Sequence, residues 1–214
     1  MIGSVGLTTT HAIAKRTLDV AVSALALVVL SPLMVLIALS VRADSGGPAL
    51  FLQARTGLRG RQFRIIKFRT MTDIAAEVNL HEETTSDDPR ITRVGRVLRA
   101  AGLDELPQLF NVLVGQMSLV GPRPLLAWEI QQCSPRQAQR LLVKPGLTGL
   151  AQVMGRNAIP WNDRIEWDLA YIDRASIGLD LWILFWTVPV VLLGKNAYLK
   201  PRPPCAMHGS RPSD

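Results

Sequence analysis

The sequence predicts an α+β fold, mainly helical. A re-entrant membrane helix-break-helix precedes a small domain with one β-hairpin and interfacial amphipathic helices. Three observations carry this prediction. The apolar run Val20–Val41 is long enough to enter a bilayer as a helix, since about 20 apolar residues suffice to cross one. Two strand-like runs, 49–54 and 61–69, flank Gly57 and Gly60, the residue type a hairpin connection calls for. Ile91, Val94, Val97 and Leu98 recur at helical spacing.

Residues 1–10 read as disordered, and 11–42 as the membrane element. Lys15 and Arg16 precede the apolar run and Arg42 follows it. Asp19 lies three and four residues beyond that basic pair, so the three can meet on one helix surface as a solvated cluster. Pro32 lacks an N–H and clashes with the preceding turn, which predicts a kink. Ser31 can re-bond a freed carbonyl. Basic residues mark the cytoplasmic side of a membrane segment, so two basic flanks suit a helix that dips in and returns. A single-pass anchor with a tolerated proline is the alternative. The segment alone favours that anchor, because kinked spanning helices are common. The run is too long for a signal-peptide core and no small-residue cleavage site follows it, so it is expected to be retained.

Residues 43–199 form the domain proper, opened by the turn Asp44–Pro48. Residues 74–88 are polar and acidic, predicting a helix and an exposed loop. A helix is expected over 89–101, with Arg96 and Arg99 opposite its apolar face and Gly102 closing it. A second is expected from Leu103 to Gly115, with Asp104 as N-cap and Pro107 in the first turn. Residues 120–124 form a stiff turn that fixes Arg123 between two prolines. A helix over 128–142 and a turn-rich loop over 144–149 follow. The apolar segment 179–193 is too short to span comfortably and carries Trp182 and Trp186, which predicts a helix lying in the membrane interface. Residues 200–214 read as a mobile, proline-rich tail.

Lys and Arg number 24 against 17 Asp and Glu, giving a net charge of +7. That balance suits an anionic partner: nucleic acid, acidic lipid or a phosphorylated substrate. Cys133 and Cys205 follow no metal spacing and imply no disulfide framework, which fits a reducing compartment. His11, His81 and His208 are scattered and fit no metal pattern.

Asp104-Glu105 is the candidate for chemistry. A carboxylate at a helix N-terminus stays ionised, and the free amides there also hold phosphate. Arginines stand upstream and Arg123 downstream, an arrangement suited to nucleophilic attack on phosphorus. Glu105 could hold a divalent metal bridging phosphate oxygens. The plain alternative is an N-cap aspartate followed by an acidic first-turn residue.

Taken in order, the motifs resemble those of the bacterial sugar transferases, the monotopic phosphoglycosyl transferases that start glycan assembly on polyprenyl phosphate. The matching pieces begin with Lys15-Arg16-x-x-Asp19, Ser31-Pro32, Phe51-x-Gln53-x-Arg55-x-Gly57 and Lys67-Phe-Arg-Thr-Met71. They continue with Asp88-Pro-Arg-Ile-Thr-x-x-Gly95, Leu103-Asp-Glu-Leu-Pro-Gln108, Met117-Ser-Leu-Val-Gly-Pro-Arg-Pro124 and Lys144-Pro-Gly-Leu-Thr-Gly149. They cover roughly residues 11–190. The resemblance implies a re-entrant membrane helix broken at Ser31 and Pro32, reversing the preference for a simple anchor. It implies that Asp104 attacks the β-phosphate of a UDP-sugar, that UMP leaves, and that undecaprenyl phosphate takes the phospho-sugar. Glu105 would bind Mg²⁺. Lys67, Arg69, Arg99 and Arg123 would hold phosphates, with Asp168 assisting the metal or substrate network. It implies an active site on the cytoplasmic face of the bacterial inner membrane, no nucleic-acid partner, and compatibility with a homodimer. Two other functions compete: a membrane-anchored basic binding protein without chemistry, and a transferase that moves the bare sugar and releases UDP.

Overall fold

The computed structural model describes residues 9–72, 88–155 and 159–192. The expectations for 1–8, for 74–87 and for the tail 200–214 lie outside the described residues.

Helix α1 runs Thr9–Ser45 as one element with Pro32 inside it. It is long and apolar enough to cross a membrane. Pro32 leaves the carbonyl of Val28 without its helical donor. Ser31 Oγ donates to that carbonyl at 2.8 Å, which restores a bond and lets the helix continue.

One stripe of α1 is buried against the domain, through Asp19, Ser23, Ile37 and Val41. The opposite side exposes Leu25, Val28, Val29, Leu33, Leu36 and Leu39. The expected mutual pairing of Lys15, Arg16 and Asp19 gives way to three distant partners. Lys15 Nζ donates to Asp180 at 2.6 Å and to the Val120 carbonyl at 3.0 Å. Arg16 donates to the carbonyls of Val112 and Leu113. Asp19 accepts from Ser118 Oγ and the Leu119 amide. The stripe is buried, and buried charges need fixed partners rather than mutual solvated contact.

Strands β1 (Leu50–Thr56) and β2 (Gln62–Phe68) form the expected antiparallel hairpin, in register from Leu50 opposite Phe68 to Thr56 opposite Gln62. Helix α2 spans Arg93–Ala101. Thr92 caps it by accepting from the Gly95 amide, and Gly102 ends it in the left-handed conformation at φ 66°.

The next segment departs from expectation. Residues Leu103–Glu105 make a 3₁₀ turn, and helix α3 begins only at Gln108, ending at Leu113. Pro107 has no N–H to return to the Leu103 carbonyl, which accepts instead from Leu106 at 3.3 Å. Asp104 therefore lies inside a tight turn and caps no helix.

The helix expected over 128–142 is also divided. Helix α4 covers Ala127–Gln131, and a 3₁₀ helix covers Gln137–Leu142. Pro135 stands between them and pushes Ser134 away from helical geometry.

Strand β3 (Ser118–Val120) pairs in parallel with β4 (Gly146–Thr148); β3 ends where the expected 120–124 turn starts, and β4 lies inside the loop expected over 144–149. A methyl on Gly146 would fall 2.1 Å from the Gly121 amide nitrogen, so only glycine permits this approach. Helices α5 (Leu150–Met154) and α6 (Trp161–Asp173) follow. Helix α7 (Ile177–Leu192) fulfils the apolar helix expected at 179–193. It buries Leu179, Ile183 and Val190 and exposes Leu181, Phe185 and Val188. The main core joins Ile65, Val112, Met117, Ile165 and Ile183. A smaller one joins Ile37 and Val41 to Phe68 and Leu98, with Leu103 and Leu106 packed against it.

Candidate active site

Three chain segments meet around a cleft of about 260 Å³. Strand β2 ends by supplying Lys67. The turn between Gly102 and Pro107 presents Asp104 and Glu105. The loop after β3 supplies Arg123. Arg99, from the last turn of α2, and Asp168, from α6, also line the cleft.

The Arg123 loop is held along its backbone. The Val120 carbonyl accepts from Lys15 and Tyr171, and the Pro122 carbonyl from the Gly146 amide. The Arg123 carbonyl accepts from Arg140 and the Pro124 carbonyl from Arg55. With its backbone tied at four carbonyls, the loop loses little freedom when Arg123 engages a ligand. The Arg123 side chain itself is 47% exposed.

Glu105 Oε1 accepts from Lys67 Nζ at 2.8 Å and from Arg123 Nη2 at 2.9 Å. Burial works against ionised Glu105. Arg123 and Lys67 outweigh it and hold the carboxyl well below the usual range. The Lys67 ammonium is pulled down by burial and supported by Glu105. Asp104 is raised, first by burial and then by the Glu105 charge, while Lys67, Arg123 and Arg99 pull it back. The sequence assigned Asp104's ionisation to a helix N-terminus; the surrounding cations take that part here. Arg99 Nη1 is buried in the cleft wall without a hydrogen-bond partner among the described residues, a state that costs about 1–3 kcal/mol.

Asp168 lines the cleft, with its carboxylate bound to Arg140 at 2.5 Å. Arg140 in turn holds the Arg123 carbonyl at 2.9 Å. Asp168 thus acts on the site through Arg140 and the Arg123 loop. Burial pushes its carboxyl up to about 6 against the Arg140 charge. Arg69 does not line the cleft. Its Nε donates to the Met71 carbonyl and its guanidinium packs over Gly47. Ser31 and Pro32 sit mid-way along α1 with exposed side chains, outside the cleft.

The far wall carries residues not singled out in the sequence: Arg140, Gln152, Trp161 and Arg164. The Arg164 guanidinium lies 5.6 Å from the centre of the Trp161 ring. Gln152, Trp161 and Arg164 fall outside every matching motif, and Arg140 lies in the stretch read only as helix, so the sequence carries no signal for these roles.

Among the described residues, no three Asp, Glu, His or Cys side chains gather to hold a metal by themselves. A site of one carboxylate completed by substrate phosphate and water is the usual Mg²⁺ arrangement. Glu105 fits it, because both of its side-chain hydrogen bonds among the described residues fall on Oε1, which leaves Oε2 as a ligand atom.

A cation cluster around two carboxylates is suited chemically to a phosphorylated ligand. The family described as Bacterial sugar transferase matches residues 10–194. A UDP-glucose:undecaprenyl-phosphate glucose-1-phosphate transferase of Caulobacter vibrioides is 46% identical over 192 residues, 86% of this chain and 72% of that protein. An uncharacterised sugar transferase of Bacillus subtilis, EpsL, is 44% identical over 184 residues, 86% of this chain and 90% of its own. An undecaprenyl-phosphate galactose phosphotransferase of Salmonella typhimurium is 42% identical over 199 residues, 86% of this chain and 41% of its own. The chain spans less than half the length of that relative and of several others. With the match running from the start of α1 past the end of α7, the chain belongs to the bacterial sugar transferase family.

Proposed function

We propose that the cleft transfers a sugar 1-phosphate from a UDP-sugar to undecaprenyl phosphate and releases UMP. The observation that carries this reading is Asp104 beside a Glu105 clamped by Lys67 and Arg123, with an Arg99 donor in the same cleft that has no partner among the described residues. The Caulobacter relative's name describes the same overall transfer.

In the first step a carboxylate oxygen of Asp104 attacks the β-phosphorus of the donor. The bond from that phosphorus to the oxygen bridging the two phosphates breaks, and UMP departs with the electron pair. In the second step a phosphate oxygen of undecaprenyl phosphate attacks the same phosphorus. The bond to Asp104 breaks, and the lipid diphospho-sugar leaves. Lys67, Arg99 and Arg123 neutralise the charge that develops on the phosphate oxygens. Glu105 keeps Lys67 and Arg123 in position and would hold Mg²⁺ against the diphosphate. The metal, when bound, supplies further neutralisation of the diphosphate charge. On this reading, a soluble nucleotide donor and a lipid acceptor meet at the cytoplasmic face of the inner membrane. A re-entrant α1 is supported by its two ends: Lys15 and Arg16 at one, Ile37 and Val41 at the other, all seated on the same domain.

The test is nucleotide release from a panel of UDP-sugars with Mg²⁺ and undecaprenyl phosphate. Wild type is expected to release UMP from one donor, and Asp104→Asn to lose at least about a thousandfold of that rate. Release of UDP would overturn the reading in favour of bare-sugar transfer. Salt-sensitive binding without any nucleotide product, unchanged in Asp104→Asn, would favour a binding protein.

A further inference from the structure

Away from the cleft, Arg16 and Lys144 flank Gly115. A methyl built on Gly115 would lie 3.3 Å from Arg16 Nη2 and 3.5 Å from Lys144 Nζ. Gly115, at φ 86°, therefore leaves a notch between two cations. Arg16 spends one donor on each of the Val112 and Leu113 carbonyls, and a guanidinium has five. Lys144 makes no salt bridge among the described residues. The carboxylate near it, Asp19, is committed to Ser118 and Leu119. Burial, Arg16 and Lys15 all press the Lys144 amine down, with Asp19 opposing. With Asp180 set against Lys15 and Asp19 against Arg16 and Lys144, this spot keeps one positive charge in excess among the described residues.

The surroundings say what kind of anion. Phe110 on α3 and Val114, which caps that helix one turn later, are exposed, and so is Ile13 on α1 one turn before Arg16. Cations bordered by exposed apolar side chains match a bilayer surface, where apolar groups enter the acyl boundary and basic groups meet phosphate. We propose that Arg16 and Lys144 hold the phosphate of an anionic phospholipid headgroup in the notch over Gly115. The site is separate from the catalytic cleft, and the proposal rests on reading α1 as a membrane element.

The full chain, reconstituted in nanodiscs of equal phosphatidylglycerol and phosphatidylcholine, is released into a native mass spectrometer and its retained lipids counted. Wild type is expected to retain phosphatidylglycerol preferentially. Lys144→Gln should lower that ratio about fivefold, the effect of one surface cation, while Lys144→Arg keeps it. An unchanged ratio in Lys144→Gln overturns the proposal. Displacement of the retained lipid by inorganic phosphate alone also overturns it, making the notch a free-phosphate site. Nucleotide release is read separately on the same preparations. Its absence in wild type would sink the proposed reaction while the lipid count still judged the notch.

Discussion

The two ends of α1 are held to the domain by different physics. The first end is polar. Lys15, Arg16 and Asp19 reach Asp180, two carbonyls of α3, and strand β3. The second end is apolar, with Ile37 and Val41 packed on Phe68 and Leu98. Each end braces a different half of the cleft. The polar end fixes Val120, at the root of the Arg123 loop. The apolar end packs with Leu103 and Leu106, which bracket Asp104 and Glu105. Directional bonds set the register and position of an arginine. Non-directional packing suffices to support a turn whose shape Gly102 and Pro107 already dictate.

The strongest way to break this comparison is Asp180→Ala. Asp180 is 1% exposed and accepts from both Lys15 and Tyr171. Its loss leaves Lys15 with an unmatched buried charge and should cost about 3–5 kcal/mol. Thermal unfolding in detergent measures this, and Asp180→Leu combined with Lys15→Met should recover most of it. A single variant as stable as wild type would show that the polar clasp holds nothing. At the other end, Ile37→Ala should cost about 2 kcal/mol through transfer and cavity effects, with the same unfolding experiment as its check.

The halves of the cleft should also part in their pH response. Burial puts the Asp168 carboxyl at about 6, above its ordinary value. Above that pH it is charged and holds Arg140; below it, it is neutral and releases the Arg123 carbonyl. Nucleotide release should therefore fall severalfold on going from about pH 7 to about pH 5. Asp168→Asn should begin low and lose that limb of the profile. If the variant keeps the same limb, the titrating group lies elsewhere, with Asp104, itself raised, as the first candidate. The smallest expected effect is at the far end of α1, where Asp44 accepts from the exposed Val94 amide. Asp44→Ala should cost about 0.5 kcal/mol, checked by a shift in unfolding midpoint.

What the sequence revealed follows the range of the interactions involved. The hairpin, α2 and α7 were legible because periodicity and glycine placement are local signals. Asp104-Glu105 and the proline-flanked Arg123 stood out for the same reason. The β3–β4 pair was not legible: two three-residue strands joined in parallel carry no periodic pattern. Helix α6 went unremarked although it brings Asp168 and Arg164 into the cleft. The partners of Lys15 and Asp168 were hidden because ion pairs leave no trace at sequence separations of 165 and 28. Arg69 sat in the right motif and yet lies outside the cleft, because β2 ends at Phe68 and the alternation that would carry Arg69 to the face of Lys67 stops there.

The Lys15–Asp180 bond also fixes an order of events in the cell. Lys15 leaves the ribosome 165 residues ahead of its partner. At about 5–20 residues per second, roughly 8–33 s of synthesis separate the two. During that interval the membrane helix is complete while its polar end lacks a permanent home. The site is locked only when α7 emerges and Asp180 closes over Lys15, so a nascent chain has its anchor long before it has a rigid Arg123 loop. An enzyme assembled in this sequence meets its lipid environment first and gains its full catalytic geometry last.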